Sequence, residues 1–248
     1  MRFRHYPFAH VYNFRDLGGY RTYDGRETAY GVFFRSDSPH LMTVTDRDTV
    51  YGFGVRSVIS LQFAYELGVH PNPFLADTRF SCSNFPVFAD FHEYAANVQL
   101  GTYKLLFDSI QTKQPIICAA IRTLIHAPHA AWYYCRIGSE RSGLISALLL
   151  DVVGVTHDVI IADYTRTAIY AAPIIEQLRR EIIVHFPDYS DQVYDIIWPR
   201  PENMQYFLFL LQQKYGNSEG YLRHIGITDR EITQLRTKFV VDASYGTS

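Results

Sequence analysis

From Trp132 the chain reads Trp132-Tyr133-Tyr134-Cys135-Arg136-Ile137-Gly138-Ser139-Glu140-Arg141-Ser142-Gly143-Leu144-Ile145. The apolar run Ala130 to Tyr134 is patterned as a buried strand, and Ser142 to Val153 as a Pro-free helix. The short loop between them opens on Cys135 and carries Arg141 six residues on. A bare Cys-x5-Arg arises by chance roughly once in four or five chains of this composition; adding Gly138 and the pair Ser142-Gly143 lowers that to about one in ten thousand. Neither Cys82 nor Cys118 has an Arg six residues on.

A loop of this kind curls so that successive backbone N–H groups face inward as an anion nest, and the N-terminus of the following helix adds positive potential. Arg136, Ile137, Gly138 and Ser139 supply that nest for a phosphate. The same field favours a thiolate, so Cys135 is the candidate nucleophile. Arg141 presents paired N–H donors to the oxygens over which charge spreads as a phosphoryl group transfers. Ser142 can donate its hydroxyl to the Cys135 sulfur and ease its departure in a second step. Cys82 and Cys118 read as packing residues.

Outward from the loop, the chain alternates. Phe14 to Arg26 carries Gly18-Gly19 and Asp24-Gly25 and reads as loop and short hairpin. Strands are expected at Val32–Phe34, Val55–Leu61 and Phe80–Val87, and a helix capped by Thr43 or Thr45 through Phe53, ended by Gly54. Helical spacing recurs at Tyr94–Ile110 and Ile116–His126, then at 158–166, 170–186, 201–215, 218–224 and 228–240. This order predicts an α/β fold with a mainly helical C-terminal half, in one domain over residues 1–248.

Composition bounds the function. Lys plus Arg number 23 against 25 Asp plus Glu, a net charge of -2, which offers no broad positive field for nucleic acid. The most apolar stretch, Leu144 to Val155, is interrupted by Asp151 and is too short to span a bilayer, so no integral membrane association is expected. The N-terminus lacks the continuous apolar stretch of a signal peptide. Three unevenly spaced cysteines form no disulfide framework and fit a reducing, cytoplasmic setting, with leaderless export left open. The ten His residues have no paired ligand spacing, so no metal or other cofactor is expected.

Asn13-Phe14-Arg15-Asp16-Leu17-Gly18-Gly19, Asp24-Gly25-Arg26, Phe34-Arg35-Ser36, the Cys135 loop, Asp163-Tyr164 with Thr167, and the run Glu219-Gly220-Tyr221-Leu222 together resemble the bacterial and fungal tyrosine phosphatase family whose N-terminal motif is Asn-Phe-Arg-Asp-[Leu/Val]-Gly-Gly. The resemblance spans about residues 8–240. It implies a cysteine-phosphatase-like, mostly parallel central sheet flanked by helices. It also implies hydrolysis of phosphomonoesters through a cysteinyl-phosphate, on a phosphotyrosine protein, with phosphoserine/threonine and phosphoinositides as further family substrates. The family loop reads His-Cys-x-x-Gly-Lys-Asp-Arg-[Thr/Ser]-Gly; here Tyr134, Ser139 and Glu140 replace its His, Lys and Asp, and Ser60-Leu61-Gln62 stands where the family has Asp-Leu-Arg.

The family's loop Asp acts as general acid, a role the resemblance passes to Glu140. Proximity recommends Glu140, yet the adjacent Arg141 tends to strip its proton away. Asp90, after a strand-like segment, and Asp16 are the alternatives, while Arg15 is a candidate contact to the substrate phosphate or ring. A phosphate-binding pseudo-phosphatase, with catalysis lost through Tyr134, Ser139 and Glu140, stands beside the enzyme, as does a phosphoinositide phosphatase. The retained Cys135 and Arg141 favour the enzyme, and the missing Lys disfavours the inositide. Oligomeric state is not legible.

Overall fold

The apolar run before Cys135 forms β6, Ala130–Tyr134, the middle strand of a five-stranded sheet. The computed structural model describes residues 3–87, 102–185, 187 and 197–243. In the sheet order, β1 (Arg15–Asp16) pairs antiparallel with β3 (Phe33–Ser36), and β3 runs parallel to β6. β6 runs parallel to β4 (Val55–Ser60), and β4 to the edge strand β5 (Ser81–Asn84). The fold is therefore α/β around a mostly parallel sheet, as expected.

Every residue of β6 is buried, because a central parallel strand is covered on both faces and reads as a continuous apolar run. Its side chains alternate between two cores. Ala131 and Tyr133 join Phe33, Ile59 and the helices of the C-terminal half; Ala130, Trp132 and Tyr134 join Phe34, Val58, Phe14 and Phe74 on the other face. That second face is closed by the N-terminal aromatics and by α1 (Val44–Gly52), whose N-cap Thr43 forms a reciprocal capping box with Asp46.

After a short α2 (Ala64–Val69) and β5, the elements among the described residues are helices except for β6 and a last short strand: α3 (Thr102–Thr112), α4 (Gln114–His126), α5 (Glu140–Val152), α6 (His157–Thr165), α7 (Thr167–Tyr170), α8 (Ala172–His185), α9 (Pro201–Tyr215), α10 (Ser218–His224) and α11 (Asp229–Phe239). The helix expected over Tyr94–Ile110 is described from Thr102 on, the strand over Phe80–Val87 shortens to Ser81–Asn84, and residues 94–101 lie outside the described residues. The Asp24-Gly25 turn joins an isolated bridge, Arg21 to Glu27, and β2 (Glu27–Thr28) then pairs with β7 (Val240–Val241), a strand not expected from the pattern, which ends its last helix at 240. Among the described residues no helix is long and apolar enough to cross a membrane.

The chain leaves the C-terminal ends of β3, β4 and β6 on the same edge of the sheet, entering segments Asp37–His40, Leu61–Phe63 and Cys135–Ser139. In parallel α/β sheets this edge is where ligand crevices form.

Candidate active site

Four carbonyls define the loop after β6. Arg136 O accepts from Ser38 N at 3.4 Å, and Ile137 O from Asn13 Nδ2 at 3.0 Å. Gly138 O accepts from Arg35 Nη2 at 2.5 Å and from Asn13 Nδ2 at 3.3 Å, while Ser139 O accepts from Arg35 Nη2 and Gly143 N. In a trans peptide the C=O of one residue and the N–H of the next point in opposite directions. Carbonyls 136–139 held outward therefore turn the N–H groups of residues 137–140 inward. Among the described residues no other residue accepts from those four N–H groups. This is the geometry of an anion nest at the start of a helix.

Gly138 makes the curl feasible. Its φ is +75°, and a Cβ there would lie 2.5 Å from Ser36 C and O and 2.7 Å from Asp37 N. The obstruction is backbone and cannot swing aside. Gly143 likewise lets Tyr164 close in, its ring carbon being 2.8 Å from where a Cβ would stand.

The donors are fixed by one buried carboxylate. Asp163 accepts from Arg15 Nε at 3.1 Å, Arg35 Nη1 at 2.7 Å and the Tyr20 hydroxyl at 2.8 Å, with both arginines almost fully enclosed. Burial alone would raise the Asp163 carboxyl; the two guanidinium charges and these hydrogen bonds hold it well below the usual carboxylate range. Asn13 is set in the same network, its side-chain oxygen accepting from Arg15 and its backbone N–H donating to Asp37 at 2.8 Å. The separated motifs around residues 13–15, 34–36 and 163–167 thus meet beneath the loop.

Above it lies a cavity of about 330 Å³ bordered by Phe63 and Tyr65 on one side, Leu178, Ile182 and Ile197 on another, and Arg136, Ile137, Glu140 and Arg141 from the loop. Cys135 is wholly buried at the head of the loop, within electrostatic reach of Arg141 and Arg35. Arg141 is gripped end-on by Glu66: Nη1 donates to Oε2 at 2.5 Å and Nη2 to Oε1 at 2.9 Å. The Nε–H edge of the guanidinium is left for two further oxygens. Burial would raise Glu66, but Arg141 holds it below its ordinary value. Glu140 moves the other way. Burial pushes its carboxyl up, outweighing its own backbone N–H and the pull of Arg141, and its Oε1 has no partner among the described residues.

Of the site residues read from the sequence, Arg136, Ile137, Glu140 and Arg141 border the cavity, with Cys135, Gly138, Ser139 and Ser142 packed behind them. Ser139 Oγ and Ser142 Oγ are buried without a hydrogen-bond partner among the described residues, so the expected Ser142 bond to the Cys135 sulfur is not formed. Arg15 and Asp16 do not reach the cavity. Arg15 is spent on Asp163, and Asp16 accepts from Gly18 N at 2.8 Å and Gly31 N at 2.7 Å, closing the turn after β1. Asp90 lies outside the described residues. Glu66 was not read from the sequence, where no helix was expected over 64–69; in the fold it also caps α2, accepting from Phe63 N at 2.8 Å. Asp163 had a signal: it shares the buried stripe Ile160, Asp163, Tyr164, Thr167, where a charge requires a partner.

Residues 6–241 match a family model described as the tyrosine phosphatase family. The chain is 27% identical over 228 residues to a tyrosine-protein phosphatase of Nostoc commune, covering 84% of this chain and 74% of the relative. It is 30% identical over 127 residues to the triple specificity protein phosphatase PtpB of Mycobacterium tuberculosis, covering 46% of this chain and 45% of that protein.

Proposed function

The chain belongs to the tyrosine phosphatase family, whose members are phosphoric monoester hydrolases, and from that premise we propose that it hydrolyses phosphotyrosine through a cysteinyl-phosphate on Cys135. The observation that carries this reading is the outward capture of carbonyls 136–139, which leaves inward N–H groups and the Nε edge of Arg141 for a phosphoryl group. Cys135 Sγ forms a bond to phosphorus as the bond to the tyrosine oxygen breaks, and Glu140 gives its proton to that oxygen. A water then attacks phosphorus, Glu140 takes its proton, the S–P bond breaks and inorganic phosphate leaves.

Two carboxyls whose environments push them apart mark an acid and a permanent anion. Burial pushes the Glu140 carboxyl up, the direction an acid needs, while Arg141 holds Glu66 below its ordinary value and Glu66 in turn holds Arg141 for the transition state. Phe63, stacked at 5.9 Å on Tyr65 and lying 4.7 Å below the Arg141 guanidinium, offers a flat apolar wall for a phenyl ring. A cavity of about 330 Å³ with such walls suits an aryl phosphate better than a polar polyol. Three free cysteines accord with a substrate met in a reducing, cytoplasmic setting.

The test is a comparison of kcat/KM for a phosphotyrosine peptide, the matching phosphothreonine peptide and a soluble phosphoinositide, with chelator present. The phosphotyrosine peptide should lead by tenfold or more, and Cys135→Ser should abolish turnover while still binding it. Binding without turnover in the wild type would make the protein a phosphate-binding module instead, and a lead for the inositide would overturn the specificity.

A further inference from the structure

The cavity holds two arginines from the loop, each paired with a carboxylate from another element, and the two pairs differ in kind. Arg141 and Glu66 are both enclosed and meet through two nitrogens. Arg136 meets Glu181 of α8 through Nη2 alone, at 3.1 Å, and the Glu181 side chain is 41% exposed where Arg136 is 11%. Gln177, one turn earlier on α8, donates to Glu181 Oε1 at 2.8 Å and steadies the carboxylate over the cavity. Glu181 therefore stands at the mouth, with Arg136 inside it.

We propose that Glu181 is a specificity-determining residue that denies a second phosphate of the substrate access to Arg136. This rests on the reading of the cavity as a phosphotyrosine pocket and adds to it what the pocket rejects. A substrate whose only phosphate sits in the nest lays its ring against Phe63, Leu178 and Ile182 and makes no demand on Arg136. A substrate bearing a second phosphate beside the first needs a cation at the mouth. The bordering cations are Arg136 and Arg141, since burial lowers His70 below its ordinary value and keeps that imidazole neutral near pH 7. Arg141 is committed to Glu66 and the first phosphate. At Arg136 the newcomer meets the Glu181 carboxylate, 3.1 Å from Nη2, and like charge set beside it penalises a wrong partner more than the rim attraction rewards a right one.

The experiment uses two matched pairs: a phosphotyrosine peptide with serine or phosphoserine at the next position, and inositol monophosphate with inositol bisphosphate. The quantity read is the ratio of kcat/KM, doubly over singly phosphorylated, for wild type, Glu181→Gln and the double variant Glu181→Gln with Arg136→Ala. The ratio should lie below one in the wild type and rise at least fivefold in Glu181→Gln for the peptide pair. The rise should disappear in the double variant and shrink at high ionic strength, where exposed charges are screened. An unchanged ratio in Glu181→Gln, or a rise that survives removal of Arg136, overturns the proposal. A merely structural role for the pair would change both members of a pair alike and leave the ratio fixed, which also overturns it. Kd ratios for the same peptides on Cys135→Ser backgrounds repeat the test without turnover. Loss of turnover on the singly phosphorylated peptide would then count against the phosphatase reading alone. A rise confined to the inositol pair would refute a peptide-directed filter.

Discussion

Replacing Asp163 by Asn tests whether one carboxylate beneath the loop sustains the site. Asp163→Asn keeps the shape but removes the charge that faces Arg15 and Arg35, two guanidinium groups that are at most 1% exposed. Taking one partner from a buried ion pair costs about 3–5 kcal/mol, because the other charge remains uncompensated. Arg15 retains the Asn13 side chain and Thr167, and Arg35 retains the loop carbonyls, so the loss belongs in that range rather than above it. For a chain of this length each kcal/mol moves Tm by about 2–4 °C, which predicts a fall of about 6–20 °C. Should that variant fail to fold, Tyr20→Phe removes only the neutral donor at 2.8 Å and should cost about 1.5–3 kcal/mol. The pH dependence has a definite sign. A carboxyl held below its unfolded value lets the unfolded chain bind more protons in acid, so its contribution is complete above about pH 4 and is lost as pH falls through the folded value. Urea unfolding of wild type and Asp163→Asn from pH 2.5 to 7 should converge toward acid. With Arg35 loosened from the Gly138 and Ser139 carbonyls, kcat/KM per folded molecule should drop about 10²-fold. A cost below about 1 kcal/mol at pH 7, or an acid limb of equal slope in both proteins, would refute the reasoning.

Glu140→Gln should slow phosphotyrosine peptide hydrolysis about 10²-fold, yet slow nitrophenyl phosphate hydrolysis far less, since nitrophenolate leaves without a proton; equal losses in steady-state rates would assign Glu140 to positioning. Gly138→Ala should cut kcat/KM about 10²-fold and lower stability by about 1–3 kcal/mol, measured by rates and urea melts, because the added methyl meets Ser36 backbone at 2.5 Å with φ at +75°.

The strand, loop and helix around Cys135 were legible because the physics there is local: an apolar run, a glycine with positive φ, and a helix N-terminus follow one another in the chain. The scaffold under the loop was legible only as motifs. Nothing local says that Arg15 and Arg35 converge on Asp163, 148 and 128 residues away, so Arg15 read as a substrate contact when its charge is consumed below the site. A buried arginine must find an anion, but the sequence does not say which one. Strand β7 escaped for a related reason, since Val240 closes the expected helix 228–240 and only Glu27 and Thr28, far away in the chain, provide the edge it pairs with.

Glu140 shows how spatial partners override sequence neighbours. Read along the chain, an acid next to an arginine should lose its proton to the field of that arginine. In space Arg141 turns its Nη1 and Nη2 to Glu66, 75 residues earlier, and that carboxylate offsets much of its charge from the other side. What remains at Glu140 is dominated by enclosure: the carboxyl sits at the start of a helix buried on every side, where the charged form loses its water and Oε1 gains no donor among the described residues. Desolvation then sets the direction of the shift, and it raises the carboxyl. The distant Glu66 thus holds the Nη1 and Nη2 end of Arg141 in a buried pair, and the loop carries a raised carboxyl at Glu140 directly beside a guanidinium whose partner comes from elsewhere in the fold.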